Sequence, residues 1–164
     1  MKTFFTNLER RITQVNSMLC IGLDPHRSEL EEFSADYAKD FCLRLISSTI
    51  EFAAAYKPNA AFFEALGADG FTALRDVIAA IPDEVPVLLD AKRGDIASTA
   101  AAYEYAAFKI LEADGITLSP YLGRDSIDPF IADPEKGVFV LCKTSNPSSS
   151  DLQDLVVISS EQNK

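Results

Sequence analysis

The stretch VLLDAKRGDIAST, residues 87–99, is the part of the chain on which the predicted fold and site depend. Its apolar first half is typical of a buried strand, yet the strand ends in the charged residues Asp90, Lys92, Arg93 and Asp95. Asp90 and Lys92 are two apart, so on a strand their side chains leave the same face. Two structural roles would also explain the charges: Asp90 and Lys92 could form an ion pair, and Asp95 could cap the following helix. The stretch therefore predicts a buried strand whose carboxyl end carries either a site or a structural ion pair.

Short apolar runs alternate with longer amphipathic segments over most of the chain. The apolar runs lack a clean in-and-out alternation, which is typical of strands covered on both faces. Five strands are predicted, at residues 18–24, 53–57, 85–92, 115–119 and 137–143. Helices are predicted at residues 36–52, 70–81 and 97–112, with a short one at 125–132 and a leading one at 4–16. This order predicts an α/β fold with parallel strands, either a barrel or an open doubly wound sheet.

Charged residues recur at one position in the predicted strands. Asp24, Lys57, Asp90 with Lys92, and Lys143 all fall at the carboxyl ends of their strands. In parallel α/β folds that edge is where ligands bind. One charged residue there would be unremarkable because loops are polar, but four strands ending this way predict a shared site.

The composition is that of a globular domain. The 164 residues carry a formal net charge of −10, with 48% hydrophobic and 24% charged residues, which argues against wholesale disorder and against a general nucleic-acid binder. No apolar run approaches the roughly 18 residues of a membrane span. Cys20, Cys42 and Cys142 lie far apart in apolar surroundings, which predicts buried, reduced thiols and a cytoplasmic location. We expect one domain over residues 1–164, with neither nucleic acid nor membrane as a partner.

Five stretches together carry a resemblance to a known family. LLDAKRGDIAST contains Asp-x-Lys-x-x-Asp, followed by an apolar residue and then a threonine. The others are CIGLDP (20–25), YKPNAAFFEALG (56–67), LSPYLGRDS (118–126) and CKTSNPSS (142–149). In their order along the chain, these stretches resemble those of the orotidine 5′-phosphate decarboxylases. KTSNPSS resembles the second, longer type more than the yeast-like type. The resemblance implies a (β/α)8 TIM barrel, of which this chain carries about five of the eight βα units.

The resemblance also implies a catalytic set: Lys57, Asp90, Lys92 and Asp95. Loss of CO2 from carbon 6 of the pyrimidine leaves a carbanion, and an ammonium group beside that carbon can stabilise the charge and donate a proton. Lys92 is expected to be this donor. Asp90 is expected to hold Lys92 and to lie close to the departing carboxylate, while Lys57 and Asp95 fix the arrangement. No metal and no cofactor are implied.

Substrate contacts and a partner follow from the same resemblance. The substrate is expected to be orotidine 5′-phosphate, and the product UMP, in de novo pyrimidine synthesis. Asp24, Asn59 and Thr99 match residues near the ribose, and Ser145 matches a residue that hydrogen-bonds the base. Asp95 and Thr99 match residues that reach the neighbouring subunit's site, which implies a homodimer with shared active sites.

Two further segments have simpler interpretations. His26 follows Asp-Pro and is interpreted as a surface histidine and not as a general base. SSSD (148–151) is predicted to be a mobile loop that could close over the substrate.

The length of the chain limits what is expected of it. A (β/α)8 barrel usually has about 250 residues, and the loops after its seventh and eighth strands commonly hold a phosphate. Only five strands are predicted, so we expect the N-terminal portion of a decarboxylase barrel, weakly active or inactive alone. Two other functions stay open: a non-catalytic barrel fragment, and a magnesium-dependent sugar-phosphate decarboxylase or aldolase of the same superfamily. A doubly wound fold is less favoured, because no Gly-rich phosphate loop follows the first strand.

Overall fold

The computed structural model describes residues 3–156. The strands are β1 Leu19–Leu23, β2 Ala53–Pro58, β3 Leu88–Arg93, β4 Gly115–Leu118 and β5 Gly137–Val140. The helices are α1 Phe4–Val15, α2 Ala35–Thr49, α3 Ala60–Glu64, α4 Gly67–Ala79, α5 Ala97–Tyr105, α6 Asp128–Ile131 and α7 Ser150–Gln153. A π-helical turn, Ala106–Ile110, continues α5, and 3-10 turns lie at Arg27–Glu29, Arg124–Ser126 and Pro147–Ser149. All five predicted strands are present, while the short helices α3 and α7 were not predicted.

The strands are parallel and their spatial order follows the chain. β1 pairs with β2, and β3, β4 and β5 pair in that order. Two parallel bridges, Tyr56 to Val87 and Asn59 to Asp90, join β2 to β3. A doubly wound sheet would reverse its strand order at a switch point, whereas sequential order is that of a TIM barrel. Within residues 3–156 the wall does not close from β5 to β1, so the predicted incomplete barrel is confirmed.

The core lies between this wall and the outer helices. Its largest fully buried side chains include Tyr56, Phe63, Leu74, Ile116 and Phe130. The Tyr56 hydroxyl lies 2.9 Å from the Thr49 hydroxyl and donates to the Ile46 carbonyl at 3.1 Å. Because a buried hydroxyl needs such partners, these bonds fix the end of α2 on β2.

Helix α1 covers the amino ends of the strands, opposite the charged edge. Its first turn is closed by a capping box between Thr3 and Thr6. Phe4 is buried and contacts Gly115 and Gly137, the first residues of β4 and β5. Arg11, also buried, donates from Nε to the Ala53 carbonyl at 3.0 Å and from Nη2 to the Ile50 carbonyl at 2.5 Å.

Replacing Arg11 with alanine is expected to lower the free energy of unfolding by about 3 kcal/mol, because two charge-assisted hydrogen bonds are lost and buried carbonyls lose their donors. Urea titration followed by circular dichroism measures this. Arg44→Ala is the control, since Arg44 is exposed on α2, and it should change the free energy by no more than about 0.5 kcal/mol. Equal effects of the two substitutions would contradict the proposed role of Arg11.

The prediction of three buried thiols is wrong for two of them. Cys42 is buried on α2, and burial together with the charge of Asp24 raises its pKa to about 12. Cys20 and Cys142 are exposed, and all three cysteines are free. Cys20 lies on β1 and Cys142 just after β5, the two strands that each pair on one side only within residues 3–156. β2 pairs with β1 at Cys20, but within the described residues β1 has no strand on its other side. No helix in this part of the chain is long and apolar enough to cross a membrane.

Candidate active site

The centre of the charged edge is the Asp90 carboxylate, which lies between two ammonium groups. Asp90 is 8% exposed on β3. Its Oδ2 accepts from Lys57 Nζ at 3.3 Å, and its Oδ1 accepts from Lys92 Nζ at 2.6 Å. Lys57 comes from β2 and Lys92 from β3, so neighbouring parallel strands bring the three groups together. We call Lys57, Asp90 and Lys92 the Lys–Asp–Lys cluster.

The cluster keeps Asp90 charged. Burial raises the pKa of the Asp90 carboxyl, but hydrogen bonds from Lys92 and Thr117 and the charges of Lys57 and Lys92 outweigh it. The pKa therefore lies below its ordinary value. The stabilisation that the charged carboxylate contributes is fully present above the ordinary pKa and is lost as the pH falls through the lowered one.

Thr117 is a site residue that the sequence analysis missed. It lies in β4, and its hydroxyl donates to Asp90 Oδ1 at 2.8 Å while it accepts from the backbone N–H groups of Ala91 and Lys92. Thr117 is the only polar residue in the strand Gly115–Leu118, and this feature of the sequence could have indicated it. Its partner could not be predicted, because the contact spans two strands that are 27 residues apart.

The backbone bends where the cluster ends. Lys92 has a φ of 48°, in the left-handed region that side chains rarely adopt. Gly94 follows, and a β-carbon there would lie 2.5 Å from the Ser119 carbonyl oxygen, so only glycine fits without a shift. Arg93 turns away from the cluster: it pairs with Glu64, and its guanidinium carbon lies 4.7 Å from the Tyr103 ring centroid.

Among the described residues, neither Asp95 nor Thr99 makes a hydrogen bond or an ion pair with the cluster. The Asp95 carboxylate accepts from the backbone N–H of Ile96 at 2.7 Å, and it makes no other hydrogen bond within residues 3–156. Ile96, and not Asp95, is the N-cap residue of α5. Thr99 is exposed in the first turn of that helix. Of the four predicted catalytic residues, three therefore meet in this chain and the fourth does not.

Asp24 and Asn59 follow β1 and β2 at the same edge. Asp24 Oδ1 is buried, and no donor in the described part of the chain reaches it. Asn59 Oδ1 accepts from the Ala61 backbone N–H at 3.1 Å and so caps α3, which leaves its amide nitrogen to act as a donor. His26 is exposed nearby, with its ring 4.3 Å from that of Phe62 between centroids.

The mobile loop predicted at 148–151 falls in the segment after β5, where the structure has the 3-10 turn Pro147–Ser149 and α7. Its mobility stays a prediction. Lys143 pairs with Asp154, and the Gln153 side chain accepts from the Thr144 backbone N–H at 2.8 Å. Lys143 is therefore engaged outside the cluster, and Ser145 is exposed.

Among residues 3–156, no group of three or more His, Cys, Asp or Glu side chains is arranged to hold a metal ion. Independence from metal stays a prediction.

Parallel strands in sequential order, with charged side chains meeting at their carboxyl edge, define the class of TIM-barrel proteins that hold a ligand at this edge. The sequence profile of the orotidine 5′-phosphate decarboxylase / HUMPS family matches residues 17–163, and the chain belongs to this family.

Curated relatives and solved structures agree with this assignment. The orotidine 5′-phosphate decarboxylase of Herpetosiphon aurantiacus is 48% identical over 161 residues, which are 96% of this chain and 60% of that protein. The one from Halorubrum lacusprofundi is 52% identical over 97% of this chain and 57% of its own length. The structure of Leishmania donovani OMP decarboxylase superposes with a TM-score of 0.87 at 56% identity, covering 94% of this chain and 59% of that one. The structure of a putative orotidine-monophosphate decarboxylase from Toxoplasma gondii superposes with a TM-score of 0.94 at 52% identity, covering 96% of this chain and 54% of that one. The chain thus spans 60% or less of these proteins.

Proposed function

We propose that this chain supplies the Lys–Asp–Lys cluster of an orotidine 5′-phosphate decarboxylase, which forms UMP and CO2 in de novo pyrimidine synthesis without metal or cofactor. The observation that carries the proposal is the Asp90 carboxylate held between Lys57 and Lys92 at the carboxyl edge of the strands. The similarity to orotidine 5′-phosphate decarboxylases supports the choice of substrate.

The cluster suits a reaction in which negative charge develops on carbon. The bond from carbon 6 to the carboxylate breaks, and its electron pair stays on carbon 6. The Lys92 ammonium stabilises this carbanion and then donates a proton to it, and solvent reprotonates Lys92. Asp90 holds the Lys92 ammonium in place before the reaction, and Lys57 holds the other oxygen of the Asp90 carboxylate, so little reorganisation is needed. Asp90 would lie close to the departing carboxylate.

The substrate contacts are those that the family resemblance implies, and the polar groups at the edge suit them. Asp24 Oδ1 is a buried acceptor without a donor among the described residues, which suits a ribose hydroxyl. The Asn59 amide nitrogen can donate to the same sugar. Ser145, exposed after β5, would hydrogen-bond the base. Loops after the seventh and eighth strands commonly hold the phosphate in TIM barrels, and residues 3–156 contain five strands. We therefore expect residues 1–164 alone to hold the phosphate weakly.

The test of this function is an assay for UMP formation from orotidine 5′-phosphate. It uses this chain alone and a barrel-completed chimera, in which the chain is joined to the part of the Herpetosiphon aurantiacus relative that lies outside the match. The chimera should turn over orotidine 5′-phosphate equally well with and without EDTA. Activity on a sugar phosphate that EDTA abolishes would instead favour the magnesium-dependent alternative. A folded chimera without turnover would favour a non-catalytic barrel fragment.

We also propose that the active protein is a homodimer with shared sites, in which Asp95 and Thr99 serve the partner's site. The lack of a hydrogen bond from either residue to the cluster, within the described part of one chain, supports this proposal. A cytoplasmic location and a single domain over residues 1–164 stay predictions.

Mixing the chimera carrying Lys92→Ala with the chimera carrying Asp95→Ala is expected to restore about a quarter of the unmutated activity. Half of the dimers would be mixed, and each would contain one intact site. Mixing Lys92→Ala with Asp90→Ala is the control, because both residues belong to the same chain's cluster and no intact site can form. If subunit exchange is verified and the first mixture stays inactive, the shared-site model is wrong.

A further inference from the structure

The Thr117 hydroxyl contacts both the Asp90 carboxylate and the backbone at the end of β3. Thr117 is 9% exposed. Its Oγ1 accepts from the backbone N–H of Ala91 at 3.1 Å and of Lys92 at 3.0 Å, and it donates to Asp90 Oδ1 at 2.8 Å.

These three bonds determine the direction of the hydroxyl hydrogen. A hydroxyl has one hydrogen and two acceptor lone pairs. The backbone N–H groups can only donate, so they occupy both lone pairs, and the remaining hydrogen points to a carboxylate that can only accept. Thr117 is therefore a donor to Asp90 with no competing orientation, and a hydrogen bond to a charged acceptor is among the stronger ones.

The same hydroxyl supports an irregular stretch of β3. Leu89 pairs with Ile116 and Arg93 pairs with Leu118, so the register of β3 against β4 shifts between these two pairs. Ala91 and Lys92 lie within the shift, and the Thr117 hydroxyl accepts their N–H groups in place of a ladder carbonyl. Lys92, whose φ is 48°, is thus held through its backbone as well as through its ammonium.

We propose that Thr117 is a positioning residue that orients the Asp90 carboxylate and the irregular backbone from which Lys92 extends. This role rests on the proposed function for its catalytic meaning, but the geometry can be tested without turnover. A threonine suits it because its branched β-carbon restricts the side chain to few rotamers.

The first test measures the titration of the Asp90 carboxyl by NMR in the chain as it exists. The charged groups facing Asp90 are Lys57 from β2 and Lys92 from β3, and Thr117 supplies the polar contact from β4. Thr117→Val removes the donor at nearly constant volume and should raise the Asp90 pKa, whereas Thr117→Ser keeps the hydroxyl and should leave it close to the unmutated value. Thr72→Val is the control, since the Thr72 hydroxyl bonds only within α4, to the Ala68 carbonyl.

The outcomes of this titration are distinct. An unchanged Asp90 pKa in folded Thr117→Val would overturn the proposal. If Thr117→Val does not fold, Thr117→Ala replaces it, and the same comparison with Thr117→Ser decides. If the pKa of the Asp90 carboxyl in Thr117→Ser differs from that of the unmutated chain, a role for the hydroxyl is also contradicted.

The second test measures kinetics in the barrel-completed chimera. Misplacing a reacting group by about 1 Å can cost about 100-fold in activity. We expect Thr117→Val to lower kcat by up to this factor with little change in KM. Thr117→Ser keeps the hydroxyl and should retain the unmutated kcat. A rise in KM alone would indicate a merely structural role. If the unmutated chimera has no turnover, the proposed function fails, while the Asp90 titration still decides the role of Thr117.

Discussion

Replacing Lys92 with alanine in the barrel-completed chimera is expected to lower kcat by about 10⁴-fold, because one ammonium group supplies both charge stabilisation and the proton. Its Nζ lies 2.6 Å from the buried Asp90 carboxylate, so the charge is already oriented before the substrate reacts. Lys57, the second ammonium of the cluster, contacts the other carboxylate oxygen and cannot take the same position.

Binding should suffer less than turnover in this variant. An interaction made mainly in the transition state affects kcat more than it affects the ground-state complex. We expect the affinity for UMP, measured by calorimetry, to change by no more than about tenfold, on the same principle. Lys109→Ala is the control, since Lys109 is exposed on the π-helical turn after α5, and it should keep full activity. Activity of Lys92→Ala within tenfold of the unmutated chimera would exclude Lys92 as the proton donor.

The second large effect concerns residues 1–164 on their own. β1 and β5 each pair on one side only within the described chain, and Leu19 on β1 is 58% exposed while Val140 on β5 is 46% exposed. Unpaired apolar edge strands promote association. We expect the chain to elute above its monomer mass and to turn over orotidine 5′-phosphate at least about 10³-fold more slowly than the chimera, because binding energy at the distant phosphate is lost.

Single lysine substitutions distinguish edge association from other contacts. Leu19→Lys and Val140→Lys place a charge on each edge and should shift the chain toward monomer in size-exclusion chromatography with light scattering. Ile131→Lys is the control, because Ile131 is similarly exposed, at 48%, but lies on α6. A monomeric chain that unfolds cooperatively and matches the turnover of the chimera would refute the prediction.

Helix boundaries show where local pattern was insufficient. The helix predicted at 36–52 ends at Thr49, where the Thr49 hydroxyl bonds back to the Leu45 carbonyl and also contacts Tyr56. The helix predicted at 97–112 changes to a π-helical turn after Tyr105. Helix α3 is five residues long and was missed because so short a segment shows no periodicity. The first two differences arise toward the ends of predicted helices, where tertiary contacts compete with local preference.

The sequence by itself determined the alternation of strands and helices and the edge at which the charges meet. Side-chain periods of 2 and 3.6 are local properties, and parallel strands necessarily bring their carboxyl ends to one edge. Lys57, Asp90 and Lys92 could therefore be placed near one another before any contact was known. The resemblance of the signature stretches then favoured a barrel over an open sheet.

The tertiary structure alone decided which side chains meet. Three features depend on partners that local sequence does not specify. They are the sequential strand order, the Thr117 bond to Asp90 and the pairing of Lys143 with Asp154. Tertiary neighbours likewise decide that Cys20 is exposed and that Asp95, within the described residues, makes no hydrogen bond with the cluster. Local sequence preference specifies the direction in which a side chain leaves its own backbone, but not the group that it meets there.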